Sequence, residues 1–110
     1  MEKAIALLEV QAMVAAAVGL DAMLKAADVR FIHVEKKLGG RLVTVVVDGT
    51  VSAVEAAAKA GREAAAQVGK VKLCEVIARP HKEILRFLYQ DIQALDDPEE
   101  LPSGLKEPNA

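Results

Sequence analysis

Phe31-Ile-His-Val-Glu-Lys-Lys-Leu-Gly-Gly-Arg-Leu-Val-Thr-Val-Val-Val47 reads as two strands joined by a short charged loop. Leu42 to Val47 is almost wholly β-branched or aliphatic, the composition of a strand covered on at least one face. Between the strands, Lys36-Lys37-Leu38-Gly39-Gly40-Arg41 brings glycines and cations together as nowhere else in the chain. Paired glycines permit positive φ and close backbone approach, which a tight turn or a crowded symmetry axis needs. Taken alone, the stretch is an ordinary hairpin with solvated charges.

Working outward, Ala4 to Val10 is a short apolar run that reads as a first strand, and the period then changes. Met13, Ala16, Ala17, Leu20, Met23, Leu24 and Ala27 follow the spacing of a helix with one buried face. Asp21 and Lys25 stand four apart on another face, acid before base. Gly19 falls inside this helix, where it costs up to about 1 kcal/mol unless close packing requires it. Val29 to Lys36 is the second strand and Leu42 to Val47 the third. Asp48-Gly49-Thr50 breaks the pattern, and Ser52 with Glu55 matches a capping box. A second helix runs to Val68, with Val54, Ala57, Ala58, Gly61, Ala65 and Val68 inward, and Glu55, Lys59 and Glu63 outward. Gly69 reads as its C′ stop. Val71 to Ala78 is the fourth strand, ended by Pro80. Lys82 to Leu95 returns to helical spacing through Leu85, Leu88, Ile92 and Leu95. That stripe predicts docking on an oligomer face or on a partner. After Asp96, acidic residues and prolines predict a disordered tail.

The order β-α-β-β-α-β is the split pattern of ferredoxin-like α+β folds: a four-stranded sheet, two helices on one face, here with a C-terminal helix appended. A length of 110 residues makes one domain, over 4–88, followed by the extension 89–110. Hydrophobic residues reach 53%, yet aromatics are 3%. Much of the core is therefore alanine, and burial against further copies would add to its stability.

Composition also removes functions. A formal net charge of −2, with basic residues scattered and no aromatic interleaving, gives no footprint for nucleic acid. The single cysteine, Cys74, cannot form an internal disulfide, which suits a reducing cytoplasm. No signal peptide is expected ahead of the first strand, and no apolar run approaches the ~20 residues of a membrane helix. His33 lies within a strand and His81 at a helix start, without a Cys or carboxylate at metal or nucleophile spacing nearby. Packing and capping are their expected roles. No catalytic residue, metal or cofactor is expected.

With these elements placed, the chain resembles the single-domain shell proteins of bacterial microcompartments. The residues that carry the resemblance are Asp21-Ala-Met-Leu-Lys-Ala-Ala-Asp-Val29, Glu35-Lys36, Leu42-Val-Thr-Val-Val-Val-Asp-Gly-Thr-Val-Ser-Ala-Val54, Ala60-Gly61, Val68-Gly-Lys-Val71 and Val76-Ile-Ala-Arg-Pro-His81. Two departures stand out. Glu9-Val-Gln-Ala12 replaces the Glu-Thr-x-Gly common in the family, and Leu38-Gly-Gly-Arg41 replaces its Gly-Ser-Gly type of pore loop.

The resemblance implies a cytoplasmic, non-enzymatic protein whose homohexamers tile with other shell proteins around enclosed enzymes, as in carboxysomes and catabolic compartments. It implies a central pore for small metabolites, lined by Lys37, Leu38, Gly39, Gly40 and Arg41, whose amides and cations favour anions. Lys25, Asp28 and Arg79 would stand at the hexamer edge. Iron–sulfur ligation at the pore, known in some relatives, would need a loop cysteine, and the sequence has none there. The rival reading from another class is a ferredoxin-like regulatory domain with a small molecule bound between subunits.

Overall fold

Eight residues, covered on both faces over most of their length, make one of the two inner strands. In Ala4–Gln11 (β1), Ala4, Ala6, Leu8 and Val10 face the helices, and Ile5 and Leu7 face the opposite side. The computed structural model describes residues 3–88 of the chain. The elements that follow are α1 (Met13–Ala26), β2 (Arg30–Lys37), β3 (Leu42–Gly49), α2 (Val51–Ala66) and β4 (Val71–Ile77), with helical residues at 82–88. The sheet is antiparallel throughout, in the order β2-β3-β1-β4, which is the expected split βαβ arrangement. The expected continuation of the last helix to Leu95 and the tail after Asp96 lie outside the described residues.

Strand ends follow the ladder more closely than the composition. β3 continues through Asp48 and Gly49, where a break was expected, because Asp48 pairs in register with Ile5 and Arg30. Its carboxylate is 1% exposed and is met by Arg30 Nη2 at 3.1 Å and Lys3 Nζ at 3.7 Å. A compensated charge can stay inside a strand where a bare one could not.

Two helices cover one face. In α2, Val54, Ala57, Ala58, Gly61 and Ala65 are buried as the spacing predicts, but Val68 lies past the helix end and is 52% exposed. The capping box does not form. α2 starts at Val51, so the cap is Thr50, whose Oγ1 accepts from Ala53 N–H at 3.2 Å, and Ser52 is already inside the first turn. In α1 the buried stripe is Ala15, Ala16, Gly19 and Met23, with Leu20 and Ala27 packed beside it. Met13, Ala17 and Leu24, expected inside, are exposed. The close approach of α2 places the small residues Ala15, Ala16 and Gly19 on the inner face, with Met23 filling the space beside Gly61. Gly69 is another such contact. Its φ is not positive, and a Cβ there would stand 2.7 Å from Ala15 Cβ and 2.9 Å from Gln11 O.

The other sheet face is capped by the chain itself. Leu85 and Leu88 pack on Ile5, Leu7, Ile32 and Val46, forming a second small core. As far as residue 88, the C-terminal stripe packs on its own sheet through Leu85 and Leu88. A bulge between Phe31 and His33 lets Ile32 join this cluster while His33, opposite Val46, meets the Phe87 ring at 6.2 Å. His81 begins the segment as a cap, its Nδ1 accepting from Glu83 N–H at 3.1 Å.

Candidate functional site: the β2–β3 loop and the far end of the sheet

Leu38, Gly39 and Gly40 form one tight turn between β2 and β3, with φ of 54°, 68° and 90°. Three successive residues in the left-handed region explain the two glycines, which adopt it without penalty. Leu38 has a Cβ and is held there against its preference. A Cβ on either glycine would meet nothing within 4 Å, so backbone conformation rather than space dictates glycine. Leu38 is 67% exposed, its side chain standing out from the turn.

The turn is closed by Arg41. Its backbone N–H donates to Leu38 O at 3.3 Å and its Nε donates to the same oxygen at 3.2 Å. Its carbonyl accepts from Ala12 N–H at 3.1 Å, which ties the turn to the β1–α1 corner. Lys37 ends β2 opposite Leu42. Around the turn lies an open groove lined by Gln11, Ala12, Leu38, Arg41, Leu42 and Lys72. The structure thus gathers Lys37 to Arg41 at one end of the sheet, as one exposed loop rich in amide donors and cations.

Ala12 was not singled out by its composition, yet it carries the strongest backbone strain of the site. Its φ of 77° and ψ of 145° lie in a region that glycine occupies and alanine avoids. The signal in the sequence was the alanine standing where the Glu-Thr-x-Gly pattern has glycine.

Lys25, Asp28 and Arg79 belong to the opposite end. Lys25 is in the last turn of α1, Asp28 in the connection to β2, and Arg79 two residues past β4. All three are exposed. Lys25 Nζ is 2.8 Å from Asp21 Oδ2, so the helical pair read from the sequence forms. Beside them a second groove is lined by Lys3, Asp28, Arg30, Asp48 and Thr50 among others. The buried Asp48 cluster there was missed in the sequence, since its partners lie 18 and 45 positions away.

His33 and His81 are committed to a ring contact and a cap. Cys74 Sγ lies 3.6 Å from Ala58 O, and burial pushes its thiol above the usual range, with Arg62 opposing and Glu75 adding. Among the described residues no group of three or more His, Cys, Asp or Glu is placed to hold a metal, and no helix is long and apolar enough to cross a membrane.

Comparison with known proteins agrees with this fold. The profile of the BMC domain matches residues 4–80. The chain is 43% identical over 91 residues to the bacterial microcompartment shell protein PduA of Citrobacter freundii, covering 83% of this chain and 97% of that one. It is 44% identical over 82 residues to the carboxysome shell protein CsoS1A of Hydrogenovibrio crunogenus, covering 74% and 84% respectively. A solved microcompartment protein from Desulfitobacterium hafniense superposes with a TM-score of 0.72 at 27% identity over 82% of this chain. The present chain spans about half of that larger one, 48%. The match over most of the folded residues, with the strand order it requires, places this chain in the BMC domain family, the family of bacterial microcompartment shell proteins.

Proposed function

We propose that this shell protein forms a cyclic homohexamer with the Lys37–Arg41 loops around its axis, and that the resulting pore passes small anionic metabolites. The observation that carries the reading is the loop itself: an exposed turn of three left-handed residues at one end of the sheet, presenting amides and cations without an enzymatic constellation nearby. Exposed Met13, Val14, Leu24, Val51 and Val68 on and beside the helices supply apolar surface that a ring would cover. The protein acts as a structural tile and conduit, not as an enzyme, within the cytoplasmic shell, alongside other shell proteins and around the enzymes they enclose.

Electrostatics favours anions. One charge ~6 Å from an axis contributes ~0.7 kcal/mol in water, so six contribute roughly 4 kcal/mol before screening. Exposed Leu38 opposes this by narrowing the opening with apolar surface, while Gly39 and Gly40 let the backbone come nearest the axis.

Native mass spectrometry tests the ring, with six copies expected and a stable monomer at micromolar concentration as the contrary result. Flux of a small anion into reconstituted shells tests the pore. The Lys37→Glu, Arg41→Glu double variant should slow anion entry at low salt; unchanged entry would remove these side chains from selectivity.

A further inference from the structure

The described C-terminal segment covers only half of the second sheet face. Leu85 and Leu88 lie over Ile5, Leu7, Ile32 and Val46, at the end that carries Asp48. Toward the Leu38–Gly40 turn, two cross-strand rows continue that face. Glu35, Thr44 and Glu9 form the first, with Leu73 beside Glu9, and Lys37, Leu42 and Gln11 form the second. All of these side chains are exposed or half-buried. Arg41 and Lys72 border the second row, where they line one groove with Gln11 and Leu42.

The open half is banded by charge. The row nearer the C-terminal segment is acidic, with Thr44 Oγ1 donating to Glu9 Oε2 at 2.8 Å. The row at the turn is basic, and neither Lys37 nor Lys72 has an ion pair among the described residues. The sequence beyond Leu88 carries the complementary pattern. Residues 89–95 hold a single acid, Asp91, with the apolar Ile92 and Leu95; Asp96-Asp97-Pro98-Glu99-Glu100 then sets four carboxylates in five positions. Leu88 lies on the covered half, next to Phe87, whose ring meets His33 one row from Glu35. The basic row is four residues further along β2, about 13 Å away. Eight to twelve residues separate Leu88 from the acids, a reach of up to about 26–40 Å when extended.

We propose that residues 96–100 dock on the basic row of their own protomer, against Lys37, Lys72 and Arg41, while the nearly uncharged residues 89–95 pass over the acidic row. Exposed ion pairs are individually weak. A short tether offsets this by holding the acids at millimolar local concentration, and the low-charge spacer avoids Glu9 and Glu35. A segment with no core of its own can be held in this way. Docking neutralises the cations beside the turn. That it thereby restrains anion entry rests on the pore reading above, whereas the docking does not.

The experiment uses the full chain in its native assembly. Lysine acylation rates are read by mass spectrometry in the parent and in a variant carrying Asp96→Asn, Asp97→Asn, Glu99→Gln and Glu100→Gln. Neutralising the segment should speed acylation of Lys37 and Lys72 about threefold relative to Lys59, which is exposed on α2. Salt at about 1 M should have the same effect on the parent. Unchanged relative rates in the variant would overturn the docking. Carbodiimide coupling in assemblies mixed from 14N and 15N chains identifies whose segment is bound. Links from Lys37 or Lys72 to residues 96–100 should join peptides of one isotope; links between isotopes would overturn the assignment to the same protomer. Entry of a small anion into shells separates docking from the pore. Faster acylation with faster entry upholds both, and faster acylation with parental entry upholds the docking and removes the pore.

Discussion

Gly19 and Gly61 meet where α1 crosses α2, and each leaves room that the other helix occupies. A Cβ on Gly19 would stand 3.3 Å from Gly61 O and 2.6 Å from Leu8 Cδ2. A Cβ on Gly61 would stand 3.1 Å from Gly19 O and overlap Met23 Cγ. The backbone oxygens cannot retreat without separating the helices. Gly61→Ala should therefore destabilise the fold by about 1–3 kcal/mol despite its better helix propensity. Urea unfolding should show a lower midpoint; an unchanged or raised midpoint would mean that the crossing can relax.

Ala12 gives the opposite sign. Its backbone is in a glycine region, so Ala12→Gly removes strain and should raise stability by about 1 kcal/mol, in spite of the greater freedom glycine has when unfolded. The midpoint should rise at constant m. A fall would show that the corner tolerates alanine without cost.

Asp48 joins Lys3, just ahead of β1, to Arg30, the first residue of β2. Asp48→Ala leaves a space in a buried site and two cations facing each other, although both are about half exposed and can rehydrate. A loss of about 2–3 kcal/mol is expected, near the lower end for breaking a buried pair. The same midpoint measurement checks it, and a loss below about 0.5 kcal/mol would class the cluster with exposed pairs.

Cys74 makes stability depend on alkaline pH. Burial raises its folded pKa above the unfolded value, so the unfolded chain releases the proton first. The contribution is whole below the ordinary thiol pKa of about 8.5 and is lost as pH rises toward the folded value. Cys74→Ala should flatten stability against pH in that window relative to the parent. Identical slopes above pH 8.5 would remove the thiol from the account.

Lys25→Ala and Arg79→Ala should leave the proposed hexamer intact while abolishing sheets and tubes visible by electron microscopy. In the proposed lattice each contact between rings would be small but would recur at every junction. Parental lattices from both variants would move the edge elsewhere on the surface.

The sequence was most informative where periodicity and burial coincide. Val54, Ala57, Ala58, Gly61 and Ala65 repeat at helical spacing against a neighbouring face, and the structure buries all five. It misled where packing chose a phase that the larger side chains did not indicate: α1 presents Ala15 and Gly19 inward and leaves Met13 and Leu24 outside. Capping also shifted, from Ser52 to Thr50, because the helix start is set by where the β3 ladder ends. At the loop, Leu38-Gly-Gly-Arg41 was legible as a turn, but the Arg41–Leu38 bond was not, since composition carries no side-chain direction. Asp48 and its partners were invisible for a related reason: long-range ion pairs leave no local pattern.

The strands have one more consequence. Each of β1, β2 and β3 spans eight residues, roughly 23 Å, with the Leu38–Gly40 turn at one end and Lys25, Asp28 and Arg79 around the other. Between them stands a sheet whose interior is tightly packed on both faces. Such a slab behaves as a spacer. Residues at one end can be exchanged while the geometry at the other stays fixed; under the pore and edge proposed above, a lineage of such tiles would be free to vary what its openings admit and still share one lattice.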